Sequence, residues 1–164
     1  LYTVLINYEC YPEMSLLLLL VALIAAVSTA FAADFNSTMA YDPNAALSYA
    51  NSHCNTNSEW LCAEFVARAL HAGGEFPGVT DYGNYNGYNL RLVSDLKKAL
   101  LHYGWTASSQ GTWCGSQGQV LIYNIDGDPN AHAAFAIGNC KLDQHNPSRC
   151  GTSSNWGPNI VLKK

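Results

Sequence analysis

Residues 119–137 read Gln-Val-Leu-Ile-Tyr-Asn-Ile-Asp-Gly-Asp-Pro-Asn-Ala-His-Ala-Ala-Phe-Ala-Ile. Two short apolar runs, 119–124 and 132–137, flank Asp126-Gly127-Asp128-Pro129. That tetrapeptide is turn chemistry, because Gly supplies positive φ and Pro removes a donor. The stretch therefore reads as two antiparallel strands joined by a turn. Asp126 and Asp128 belong to the turn rather than to a pair of acid and base carboxylates. Further along, 141–145 and 159–162 read as strands of the same kind. Upstream the period changes. Asp42-Pro43 opens a helix to about Asn51, with Asp as N-cap and Pro in the first turn. Residues 59–71 carry Cys62, Phe65, Val66 and Ala69 on one stripe, with Asn57 or Ser58 as cap and Gly73-Gly74 as stop. A third helix is expected over 89–103, where Leu90, Val93, Leu96 and Leu100 recur at helical spacing. Helices first and an antiparallel meander after them make an α+β domain, with N-terminal helices packed on a small sheet of about four to six strands.

The remainder of the chain has a different character. Of 164 residues, 49% are apolar and only 12% charged, with a formal net charge of −4. The imbalance sits largely in residues 16–33, which carry no charge, and in the unbroken apolar run from Leu16 to Ala26. Met14-Ser15 precedes that run and Ala30-Phe31-Ala32 closes it, so it reads as a secretory signal peptide cleaved after Ala32. Residues 1–32 are then upstream sequence plus leader, and 33–164 are a single secreted domain. Asn36-Ser37-Thr38 is a glycosylation sequon. No later apolar run is long enough to span a bilayer, so no membrane partner is expected once the leader is removed. A nearly neutral surface offers no footprint for nucleic acid. Nothing in the pattern calls for oligomerisation, and a monomer is expected.

Five cysteines follow the leader: Cys54, Cys62, Cys114, Cys140 and Cys150. In an oxidising compartment thiols pair, and an odd number leaves one over. No Cys-x-x-Cys pair or zinc-finger spacing is present, so neither a metal nor another cofactor is expected. Cys140 and Cys150 flank a nine-residue insert and are expected to pair, which leaves Cys54 to Cys114 and Cys62 free. The competing pattern joins Cys54 to Cys62.

A free thiol at a helix start is chemically privileged. The unpaired N–H groups and the helix dipole favour thiolate, and the same groups can hold an oxyanion. A cysteine hydrolase also needs a histidine base and a polar group to orient it. His132 opens a strand and suits the first role. His145 suits the second, with Asn146 and Asp143 as alternatives.

Leu61-Cys62-Ala63-Glu64-Phe65-Val66 resembles the Cys-x-x-Phe-Val helix start of NlpC-type and CHAP-type cysteine peptidases. Residues 120–124 and 131–138 resemble their paired strands, and Gln144-His145-Asn146 resembles a His-Asn segment of the related cysteine amidases. The resemblance covers about 42–162. It departs before and after the cysteine, where NlpC relatives carry Asp and Ser-Gly. It implies a papain-like fold and hydrolysis of an amide bond in bacterial peptidoglycan stem peptides, through a thioester on Cys62. Two other readings belong to different classes: a non-catalytic wall-binding module using Tyr82, Tyr85 and Tyr88, and an acyltransferase that resolves the same thioester with an amine.

Overall fold

The computed structural model describes residues 40–56, 59–109, 116–124, 130–153 and 157–164. Residues 1–32, the expected leader, and Asn36, Asn57, Ser58, Cys114, Asp126 and Asp128 lie outside these residues. Helix α1 spans Pro43–His53, α2 spans Cys62–Ala72 and α3 spans Val93–His102. The strands are β1 (Thr106–Ser108), β2 (Val120–Tyr123), β3 (His132–Gly138), β4 (Lys141–Gln144), β5 (Arg149–Ser153) and β6 (Ile160–Lys163). They form one antiparallel sheet in the order β1-β6-β2-β3-β4-β5. The architecture is α+β, as expected, with the helices on one face of the sheet.

The ends of the elements follow local chemistry. The Asp42 carboxylate accepts from the Asn44 and Ala45 N–H groups, so α1 starts where the sequence places its cap. Helix α2 starts three residues later than expected. Leu61 is its N-cap, in extended conformation, and no side chain caps the first turn. Helix α3 likewise starts at Val93, after a turn closed by Leu92 N–H to the Asn89 carbonyl. Strands β1 and β5 were not expected. Both are edge strands, short and rich in polar residues, so neither shows the alternation that marks a half-buried strand.

The core follows strand alternation. Val120 and Ile122 of β2 and Phe135 of β3 face the helices, where Phe65, Val66, Ala69, Leu70, Leu96 and Leu100 complete the cluster. Leu121, Ala134, Ala136, Leu142 and Val161 form a second cluster on the opposite face. Asn139 and Cys140 both have positive φ, 53° and 57°, and make the two-residue turn that joins β3 to β4. A β-bulge between Ala136 and Gly138 then shifts the hairpin register by one residue, and so decides which β4 residue lies on the same face as His132.

Two expected disulfides are corrected. Cys54 is bonded to Cys150, 96 residues away, and neither Cys140–Cys150 nor Cys54–Cys114 forms. Cys140 is also disulfide-bonded. Spacing along the chain suggested a local loop, whereas β5 folds back along β4 and brings Cys150 to the C-terminal end of α1. Cys62 is the free thiol, as expected. Replacing both Cys54 and Cys150 by Ser should cost about 2–5 kcal/mol of stability, because the bond closes a long loop. Urea unfolding measures it; a loss below about 1 kcal/mol would show that packing alone holds β5 in place.

Candidate active site

Cys62 is the first residue of α2 and is 9% exposed. Its sulfur accepts hydrogen bonds from backbone N–H groups of Ala133, Ala63 and Cys62 itself. Two of these donors are orphan groups of the uncapped first turn. The third lies on β3, immediately after His132. Burial raises the thiol above its ordinary value and outweighs the three donors, which act in the opposite direction.

His132 opens β3 and is paired across the sheet with Tyr123. Its Nε2 donates to the Gln144 Oε1 at 3.1 Å. A carboxamide oxygen only accepts, so this contact keeps the proton on Nε2 and leaves the Nδ1 lone pair available as a base. Burial lowers the imidazole below its ordinary value of 6.5, and the bond to Gln144 offsets part of that. At neutral pH the pair is therefore a neutral thiol and a neutral imidazole. Cys62, His132 and Gln144 line one open cleft of about 840 Å³, together with Tyr123, Asn124, Asn130 and Asn146.

The polar side chain hydrogen-bonded to His132 is Gln144, one residue before the expected His145. Strand alternation gives the reason. His132, Ala134 and Ala136 share a face of β3, and Leu142 of β4 packs with the two alanines. Gln144, two residues on, keeps that face, and His145 turns to the other one. There it is 1% exposed and stacks on Phe65 of α2, with ring centroids 4.3 Å apart. Its Nε2 donates to the His53 carbonyl at 2.8 Å, which also accepts from the Thr56 N–H and hydroxyl just past α1. Asp143 is fully buried; one carboxylate oxygen accepts from the Gly151 N–H at 2.8 Å, and burial raises its pKa. Asn146 lines the cleft. Counted straight back from the β3–β4 turn, parity points to His145; a β-bulge between Ala136 and Gly138 shifts the register by one and brings Gln144 to the face of His132.

His145→Ala should consequently destabilise the fold by about 2–4 kcal/mol, since it removes a buried ring stacked on Phe65 and leaves a cavity. Turnover per folded molecule should stay within about threefold of wild type. A loss of turnover matching that of His132→Ala, at unchanged stability, would return His145 to the orienting role.

The α2 start is braced from its flanks. Glu64, 5% exposed, pairs with Arg68 at 2.7 Å and with Arg91 at 2.9 Å. The Arg68 guanidinium lies 4.4 Å from the Trp60 ring centroid and 4.3 Å from that of Tyr82. A buried carboxylate held by two guanidinium groups is compensated rather than stranded. Tyr82 is thus engaged by Arg68, Tyr85 is buried against Phe76 and Tyr103, and Tyr88 packs near His102. Tyr85 is buried, whereas Tyr82 and Tyr88 are half-buried.

No protein-family model and no curated protein matches the sequence. Among solved structures, a chain of the type VI native effector–immunity complex Tae3–Tai3 from Ralstonia pickettii is similar at 20% identity. The match covers 76% of this chain and 98% of that one, with a TM-score of 0.44.

Proposed function

We propose that the chain is a secreted cysteine hydrolase that cleaves an amide bond in bacterial peptidoglycan stem peptides. The observation that supports it best is the free Cys62 thiol at an uncapped helix start, hydrogen-bonded by the residue that follows His132. The substrate class rests on the resemblance of 61–66, 120–124 and 131–138 to peptidoglycan peptidases. Release from the producing cell rests on the leader-like residues 14–32.

The chemistry follows from the protonation states. Cys62 Sγ attacks the amide carbonyl as its proton passes to Nδ1 of His132. The carbonyl electron pair moves onto oxygen, where the Cys62 N–H stabilises it. On collapse the C–N bond breaks, and His132 returns the proton to the departing amine. Water, deprotonated by the same Nδ1, then attacks the thioester; a carboxylic acid leaves and the thiol regains its proton. Gln144 acts as a positioning residue by holding the ring in one tautomer. No step requires a cofactor.

The test is mass spectrometry of purified peptidoglycan after incubation with the protein and with Cys62→Ala. Hydrolysis yields fragments heavier by one water, with a new amine and a new carboxyl end, from the wild type alone. Release of the same fragments by both proteins, or by neither, would overturn the proposal. An added amine that enters the product in place of water would assign the acyltransferase reading instead.

A further inference from the structure

We propose that Arg149 is a carboxylate anchor of the cleft, and that the substrate is an acidic peptide carrying a free carboxylate beside the scissile amide. The inference deepens the hydrolase reading and rests on it for the word substrate.

The cleft supplies the electrostatic argument. Arg149 is the one permanently charged side chain among its described lining residues, and no carboxylate is among them. The sequence holds three arginines. Arg68 and Arg91 are both committed to Glu64. Arg149 has no acidic partner among the described residues, although it stands at the mouth of a cleft otherwise lined largely by neutral amide and hydroxyl groups. A guanidinium with a free bidentate edge is suited to a planar carboxylate.

Its position is set by the sheet. Arg149 is the cross-strand partner of Gln144, which holds His132. Directly paired residues have Cβ atoms about 5 Å apart, so Arg149 stands beside the residue that holds His132, in the same cleft as Cys62. The next residue, Cys150, is bonded to Cys54 at the end of α1, so the backbone beneath the guanidinium is clamped to the helical layer. A fixed anchor selects its ligand without an ordering cost at the moment of binding.

The experiment uses peptidoglycan peptide fragments and the same fragments after carbodiimide amidation of their carboxyl groups. Binding is titrated by calorimetry to Cys62→Ala and to the Cys62→Ala, Arg149→Ala double variant, while hydrolysis by the wild type is followed separately. The expected result is a fall in affinity of about 10- to 100-fold on amidation, and a similar fall for the acidic fragments when Arg149 is removed. Amidated fragments should bind the two variants equally. Arg149→Lys should retain part of the preference. Equal binding of acidic and amidated fragments, no effect of Arg149→Ala, or no binding by either fragment set would overturn the anchor. Hydrolysis indifferent to amidation leaves the hydrolase standing and removes the anchor. Carboxylate-dependent binding without hydrolysis does the reverse.

Discussion

Cys62→Ala is expected to reduce turnover by at least about 10,000-fold while the protein stays folded. The nucleophile and its base act as a unit, so loss of one member removes nearly the whole advantage of the pair. The fold should tolerate the change. Cys62 belongs to the buried cluster beneath α2, but truncation to Ala removes a single sulfur at a cost of about 1 kcal/mol. Ala is also a good helix former, so α2 should persist. Steady-state kinetics and urea unfolding on the same sample separate the two effects. Inactivity together with collapse of the fold would mean that the thiol is structural.

His132→Ala is expected to lower turnover by about 100- to 10,000-fold. The pH profile should carry the same information in the wild type. Burial lowers the imidazole below 6.5, and the reaction needs its neutral form. Activity should therefore fall only on acidification through a midpoint below 6.5, and should be level across neutrality. The raised Cys62 thiol points the same way, because a pre-formed thiolate–imidazolium pair is not the resting state. An acid limb centred well above 6.5 would contradict the neutral-pair mechanism. In His132→Ala that limb should vanish along with the activity, and retention of more than about a tenth of turnover would exclude His132 as the base.

What the sequence disclosed, and what it did not, divides along physical lines. Helical stripes around Phe65 and Leu96 and the apolar runs of β2 and β3 are local patterns, and each produced an element close to the expected place. Cys62 stood out in the sequence as a thiol near a helix start in a chain with an odd number of cysteines after residue 32. His132 stood out because it opens a strand. Gln144 shares the face of His132 through the β-bulge between Ala136 and Gly138, a one-residue shift that regular alternation does not disclose. The neighbouring His145 has the more familiar chemistry and faces the helices instead. The disulfide escaped for a different reason: Cys54 and Cys150 meet only through the return of the edge strand β5, and a pairing 96 residues long leaves no local trace. The Glu64–Arg91 pair is equally non-local. Among the described residues, the polar stretch of β5 was the hardest to read, and it carries both the disulfide and Arg149.

The central claim is that Cys62 becomes acylated by the substrate. The protein is mixed with peptidoglycan peptide fragments, quenched in acid within the first turnovers, digested, and the peptide bearing Cys62 is weighed. The account predicts that this peptide gains the mass of the acyl half of the substrate, that the gain is released by hydroxylamine, and that it does not form in His132→Ala over the same interval. An unmodified Cys62 peptide, recovered while turnover proceeds and fragments accumulate, would contradict it.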